Sequence, residues 1–365
     1  MIYTCKKQKM NFSKRLLNWY ETEHRDLPWR HTRDPYIIWL SEIILQQTQV
    51  KQGLPYFQKF LSRFPNVHQL AEANEDEVLK LWQGLGYYSR ARNLHFTAQY
   101  ISKTLHGHFP KTYKDLKTLK GVGDYTAAAI ASFAYDEPVA VVDGNVQRVL
   151  SRLFGIHTPI NSTEGVKEFK TKAQEMLDES NPALHNQAIM EFGALHCKPK
   201  SPKCMFCVFQ EDCVAFQQGL QDELPVKLKK TKVKIRYFRY LVLIDSEEHT
   251  LVQKRSGAGI WKGLYEFPLL ESDTYGALPT VEAIKSVLAL PELSISSLKS
   301  YNDTPVVHLL SHRKIMAYFF EVNLSSLFSE LDLQDKWEVV PLQKLHTLAV
   351  PVLIQNFIES EFPLA

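Results

Sequence analysis

The sequence predicts a multidomain chain: an all-α region followed by a smaller α+β domain. Three observations carry this. The 365 residues exceed what one hydrophobic core usually serves. Up to about residue 221, apolar residues recur at helical spacing in runs such as "DEVLKLWQGLGYYSRARNLHFTAQYISK" and "VKEFKTKAQEMLDES", broken by Pro and Gly. Then comes "PVKLKKTKVKIRYFRY" (Pro225 to Tyr240), with seven Lys or Arg and no acid, after which β signals dominate. The expected boundaries are a helical region over 1–221, a basic linker over 222–235 and an α+β domain over 236–365.

Composition narrows the class. A hydrophobic content of 45% suits ordinary packed cores. A net charge of +3 is compatible with nucleic acid without demanding it. No apolar run is long enough to span a membrane. The opening "MIYTCKKQKMNFSKRLLNWY" lacks the apolar core and cleavage site of a signal peptide. A cytoplasmic protein is expected.

In "WLSEIILQQTQV" (Trp39 to Val50), Asp34 and Pro35 supply the N-cap and first position of a helix. Glu42 shares a face with Ile38, Trp39 and Leu45. A glutamate there either keeps its head in water at the rim, or is buried with a raised pKa and a proton ready to give.

Further on, "LKTLKGVGDYTAAAIASFA" sets Gly121, Val122 and Gly123 before a helix of small residues. Glycines permit a tight turn, and free N–H groups at a helix start bind phosphate. A plain helix–turn–helix is the bland alternative. In "VAVVDGNVQRVLSRLFG", Asp143 follows an apolar run and opens a helix. An N-cap carboxylate there is held in its charged form by the helix dipole. One protonated and one ionised carboxylate are what acid-assisted cleavage of a glycosidic bond needs.

Four of the five cysteines fall in "CKPKSPKCMFCVFQEDC". Cys197, Cys204, Cys207 and Cys213 are spaced C-x6-C-x2-C-x5-C. Four thiolates suit either a structural zinc or an iron–sulfur cluster. In the last domain "RYFRYLVLID-SEEH-TLVQKR" reads as a β-hairpin and "KIMAYFFEVN" as a strand. "PTVEAIKSVLAL" and "VPVLIQNFIES" read as helices.

Together these stretches resemble a known family. The cysteine spacing is similar to the [4Fe–4S] loop of the endonuclease III and MutY families of DNA glycosylases. L-x-G-V-G-x-x-T-A resembles their helix–hairpin–helix. With "LPWR", "WLSEIILQQTQV", "GLGYYSRARNL", "VVDGNVQRVL" and "NQAIMEFGALHC", the chain resembles a MutY-type adenine DNA glycosylase from about Phe12 to its end. The resemblance implies a helix–hairpin–helix glycosylase region. Its six-helix barrel would lie at about 35–140, and its [4Fe–4S] part would be formed by the N-terminal helix with 141–221.

The resemblance also implies a reaction. Adenine opposite 8-oxoguanine or G in duplex DNA would be flipped out and released by a monomeric enzyme. Glu42 would protonate N7, and Asp143 would stabilise the sugar cation. Tyr125 and Asn145 would support the carboxylates and sugar. Arg25, Leu27, Trp29, Arg30 and Gln187 would surround the base, although core packing is the plain reading of Leu27 and Trp29. Gln47 and Tyr87 would enter the duplex. Gly121, Val122 and Gly123 would grip the DNA backbone, and the cysteine loop would direct Lys198, Lys200 and Lys203 towards DNA.

Endonuclease III-type lyases carry a lysine where this chain has Tyr125. A monofunctional glycosylase is therefore expected, with Lys120 the nearest lysine in the hairpin. The last domain resembles the family's Nudix-like domain through "GIWKGLYEFP". It lacks the R-E-x-x-E-E helix of an active Nudix hydrolase. "LLSHRK" matches the loop that probes 8-oxoguanine, through Leu310, Ser311 and His312. The rival readings are a bifunctional endonuclease III-like lyase and a non-catalytic lesion-binding protein.

Overall fold

The computed structural model describes residues 2–228, 233–275 and 278–364. Residues 229–232 of the expected linker lie outside the described residues. The chain divides into two compact units, Met1–Glu72 with Asn93–Lys229, and Ala73–Arg92 with Lys230–Ala365. Residues 73–92, read from the sequence as part of the helical region, thus belong to the second unit.

The first unit is helical. Its elements begin with α1 (Ile2–Glu23), α2 (Pro35–Leu45), α3 (Val50–Arg63) and α4 (Val67–Glu72). After α5 (Glu75–Trp82), which belongs to the second unit, follow α6 (Ser89–Lys103), α7 (Tyr113–Leu116), α8 (Asp124–Tyr135) and α9 (Gly144–Phe154). The series ends with α10 (Thr163–Met176), α11 (Pro182–Leu195) and the short α12 (Val214–Gln218).

The local reasons match the sequence. Asp34 accepts from Tyr36 N at 2.8 Å, so α2 starts where Asp-Pro placed it. Helix α9 opens on Asp143 and stops at Gly155, which takes a left-handed conformation as its C-cap. Small side chains on α8 (Ala127, Ala128, Ala129 and Ala131) are buried and let α2 pack closely. One core joins Phe12, Leu16 and Trp19 of α1 to Val149 and Leu150 of α9 and Ile189 and Phe192 of α11.

The second unit carries β1 (Lys234–Ile244), β2 (His249–Lys254), β3 (Tyr265–Glu266) and β4 (Leu269–Ser272). Then come α13 (Val281–Leu288), β5 (Ile295–Ser300), β6 (Val306–Leu309), β7 (Arg313–Leu324), β8 (Trp337–Pro341) and α14 (Val352–Glu361). One sheet runs β4-β1-β7-β5, with β6 also on β7, and the other runs β3-β2-β8. β1 and β7 pair in parallel along their length. Both helices and the β7 strand lie where the sequence placed them.

The expected hairpin of β1 and β2 does not form a ladder. β1 pairs along its length with β7, and its Tyr237–Tyr240 stretch pairs with β4. β2 turns instead into the other sheet, between β3 and β8. The turn itself is real: buried Asp245 accepts from Glu247 N at 3.0 Å and His249 N at 2.9 Å. Local turn chemistry is legible at short range, but strand partners depend on residues far along the chain.

Candidate active site

Helix α2 is apolar around its whole circumference, so Glu42 has no rim to reach. It is 5% exposed. Tyr125, in the first turn of α8, donates its hydroxyl to Glu42 Oε2 at 2.6 Å. Burial raises the Glu42 pKa to about 7; the Tyr125 hydrogen bond opposes the rise, nearby Asp143 adds to it, and Arg30 opposes it. A carboxyl balanced there can hold or give a proton near neutral pH.

A cavity of about 40 Å³ opens beside this carboxyl, lined by Trp29, Arg30, Ile38, Ser41, Glu42, Phe133, Gln187 and Met190. Trp29, Arg30 and Gln187, named from the sequence, all line it. Arg25 and Leu27 do not line it. Leu27 is buried at the start of a single 3-10 turn, Pro28–Arg30. Arg25 lies one layer out, bonded to Glu191. Ser41, Phe133, Met190 and Glu191 were not singled out in the sequence, and Ile38 was noted there only as sharing a face with Glu42. Ile38 is one helical turn before Glu42, and Met190 and Glu191 are one turn beyond Gln187, so helical spacing pointed to them.

Glu191 is 1% exposed and fully partnered. It accepts from Arg25 N at 2.9 Å, Arg25 Nε at 2.7 Å, Arg25 Nη2 at 2.6 Å and Arg30 Nη2 at 2.7 Å. Burial alone would raise its pKa, but the two guanidinium groups outweigh it and hold the carboxyl at about 2. Arg30 also donates to Arg25 O at 2.8 Å and lies over the Tyr20 ring. Tyr20 in turn bonds Gln187 Oε1 at 3.1 Å.

Asp143 caps α9 as the sequence indicated, accepting from Asn145 N at 2.9 Å and Val146 N at 2.8 Å. Asn145 Nδ2 adds a third bond at 2.7 Å. Burial raises the Asp143 pKa despite the Val146 and Asn145 bonds and the charge of Arg148. Protein surrounds the group on most sides, and three donors do not offset the lost water.

Arg148, buried on α9, extends the chain of contacts. It bonds Asn145 Oδ1 at 2.9 Å, Gly193 O at 2.6 Å and Cys197 O at 2.7 Å. That ties the Asp143 cap to the cysteine loop. Cys197, Cys204, Cys207 and Cys213 are free of disulfides. Among the described residues, no group of three or more His, Cys, Asp or Glu is arranged to hold a metal ion. The sulfurs do meet donors: Arg152 Nη1 reaches Cys197 Sγ at 3.5 Å and Phe209 N reaches Cys207 Sγ at 3.4 Å. Burial pushes the Cys207 thiol up to about 12. Lys198, Lys200 and Lys203 are exposed on this loop.

The hairpin before α8 is built as its glycines imply. Gly121 has φ +81°, and a Cβ there would lie 2.7 Å from Asn93 Cβ. Val122 is buried, and Gly123 begins α8 with no side-chain cap. The first-turn N–H groups therefore have no side-chain acceptor. Lys120 Nζ sits over the Phe96 ring at 4.1 Å. Gln47 is exposed with φ +56°.

In the second unit, Tyr87 is 48% exposed with φ +48°. Positive φ at non-glycine residues is uncommon and marks a constrained turn. The Tyr87 hydroxyl hydrogen-bonds Ser311 Oγ. Two residues picked from opposite ends of this unit's sequence thus meet. Leu310 N bonds Arg313 O at 2.8 Å, so Ser311 and His312 form an exposed tip between β6 and β7. Helix α13 carries one acid, Glu282, where an active Nudix helix carries several.

Residues 40–176 match the HhH-GPD superfamily base excision DNA repair protein family, and residues 239–360 match the NUDIX domain family. The chain is 33% identical to the adenine DNA glycosylase of Buchnera aphidicola subsp. Schizaphis graminum, over 95% of this chain and 98% of that one. It is 43% identical to the mouse adenine DNA glycosylase, over 58% of this chain and 43% of that one. A solved thermostable thymine-DNA glycosylase superposes on 58% of this chain and 98% of its own with a TM-score of 0.54 and 30% identity. A solved endonuclease III–DNA complex shares the fold over 59% of this chain and 98% of its own, at a TM-score of 0.52 and 21% identity. No helix among the described residues is long and apolar enough to cross a membrane. With a near-full-length relative, both domain matches and a buried acid facing a small cavity, the chain belongs to the adenine DNA glycosylase family of base excision repair enzymes.

Proposed function

We propose that this protein hydrolyses the N-glycosidic bond of adenine mispaired with 8-oxoguanine or G in duplex DNA and leaves the strand intact. The observation that carries the reading is Glu42, buried against the cavity with its pKa raised to about 7 by burial. Adenine is a poor leaving group until a ring nitrogen is protonated. A carboxyl that keeps its proton at neutral pH can supply it, while Tyr125 orients the carboxyl. Trp29, Arg30 and Gln187 receive the flipped base. Arg25 and Leu27 support that pocket from behind.

Asp143 faces the sugar with Asn145 beside it. Its charged form is disfavoured by burial, so it gains most when a cation develops next to it. That suits an oxocarbenium-like transition state. The cavity lining includes no lysine, and Tyr125 stands where lyases of the superfamily place one. Strand scission through a Schiff base has no agent there.

DNA is the macromolecular partner. The uncapped start of α8 behind Gly121, Val122 and Gly123 suits a backbone phosphate. Gln47 and Tyr87 fill the stack that the flipped base vacates. Leu310, Ser311 and His312 read 8-oxoguanine in the Nudix-like domain, which has lost pyrophosphatase chemistry. The donor set of Cys197, Cys204, Cys207 and Cys213 fits a [4Fe–4S] cluster, because N–H groups already point at two of the sulfurs and burial raises the Cys204, Cys207 and Cys213 thiols, whose ionised form a bound metal would favour. The cluster would fix the loop, and the residues around it hold Lys198, Lys200 and Lys203 towards DNA.

Single-turnover cleavage of labelled duplexes with A opposite 8-oxoguanine, G or T, with and without alkali, tests the reading. Breaks only after alkali, fastest opposite 8-oxoguanine, are expected. Breaks without alkali would overturn the monofunctional assignment and direct attention to Lys120.

A further inference from the structure

We infer that Glu191 is a positioning residue whose charge neutralises Arg30, so that a cavity holding a guanidinium can also hold a protonated Glu42. The inference deepens the proposed function and rests on it for its meaning in catalysis. The geometry is specific. Arg30 and Glu42 line the same small cavity. An uncompensated guanidinium in a dry site would pull a neighbouring carboxyl towards its charged form, by roughly 1 to 3 pKa units. Glu191 does not line the cavity, so it does not touch the base. It meets Arg30 from behind at 2.7 Å, with Arg25 completing the set at 2.6 Å.

Arg30 is also locked in place. One of its terminal nitrogens donates to Arg25 O and the other to Glu191. The guanidinium can therefore present an edge to a ligand while its charge is spent on Glu191. The groups that act on Glu42 are Tyr125, Asp143 and Arg30. Tyr125 favours the charged form and Asp143 opposes it. Glu191 itself faces Arg25 and Arg30, with Tyr20 between these charges and Gln187. Of these, Arg30 is the one cation acting on both carboxyls.

The test is titration of the Glu42 carboxyl by carbon-13 NMR in the full chain without DNA, with its signal assigned by Glu42→Gln. In Glu191→Gln the titration is expected to move down by about 1 pH unit or more. In the double variant Arg30→Gln, Glu191→Gln it is expected to return towards the parent value or above it. The double variant carries neither buried charge and tests the proposal if the single variant is poorly folded. Titration unmoved in the single variant, or a downward shift that persists in the double one, would overturn the inference. Adenine release is not needed for this readout. Failure of the glycosylase reading would show instead as an intact duplex strand in the alkali assay with the NMR shift still present. Where release is seen, the alkaline limb of its single-turnover rate profile should move down with the titration, which a merely structural loss would not produce.

Discussion

Glu42 and Glu191 are both buried glutamates, and their carboxyls behave in opposite ways. Glu42, 5% exposed, has one hydroxyl partner and a pKa pushed up to about 7. Glu191, 1% exposed, has four N–H donors from two arginines and is held at about 2. Burial pushes both upward; the donors decide the outcome. One residue type thus yields a carboxyl with a raised pKa and one with a lowered pKa, both acted on by the charge of Arg30.

Removing each carboxyl breaks the comparison most directly. Glu42→Gln keeps the shape and the Tyr125 contact but has no proton of the right acidity. Adenine release should fall by roughly 10²- to 10⁴-fold in single turnover, with binding to the mispaired duplex retained. A variant that cleaves at the parent rate would remove Glu42 from the chemistry. Glu191→Ala strands Arg30, which is 12% exposed, beside an empty site. Unfolding in urea should show a loss of about 3 to 5 kcal/mol. A loss under 1 kcal/mol would mean water reaches the arginines and the pair is not truly buried.

The pH dependence sharpens the contrast because the signs differ. Glu42 has a folded pKa above its ordinary value of 4.5. Its contribution to stability is therefore full below about pH 4.5 and lost as the pH rises through 7. Glu191 has a folded pKa below 4.5. Its contribution is present above about pH 4.5 and lost as the pH falls through 2. Each amounts to about 3 kcal/mol at its limit. Glu42→Gln should therefore flatten the alkaline side of the stability profile, and Glu191→Gln the acid side. Adenine release by the parent should fall above about pH 7 as Glu42 loses its proton. A rate that stays level to pH 9 would show that the acid is another group.

The sequence made Glu42 visible and left the pairing of Glu191 hidden, for a physical reason. A lone acid among Ile38, Trp39 and Leu45 conflicts with its surroundings locally, so it draws attention. Glu191 is compensated by Arg25 and Arg30, more than 160 residues earlier. Nothing within its own helix reveals that pairing. The same distinction runs through the fold. Caps at Asp34 and Asp143, and the hairpin at Gly121, are written in a few adjacent residues. The partners of β1 and the grouping of residues 73–92 with the second unit depend on contacts far away in sequence. The cap at Asp143 is local, but the burial that raises its pKa is not.

The smallest expected effect tests the hydroxyl donor of Glu42. Tyr125 donates at 2.6 Å, and this bond favours the charged carboxylate. Tyr125→Phe keeps the ring and removes the hydroxyl. The Glu42 pKa should then rise further, by roughly half a unit to one unit. The alkaline limb of the rate profile should shift up by the same amount, opposite to the shift expected for Glu191→Gln. The plateau rate at low pH should fall a few-fold, because the carboxyl loses the contact that orients it. These two readouts separate electrostatics from orientation. A shift with no change in plateau would make Tyr125 a pKa-setting group alone. A lower plateau with no shift would mean the hydroxyl holds the carboxyl in place while some other group sets its proton affinity. A downward shift would contradict the premise that donor count, set against burial, distinguishes Glu42 from Glu191.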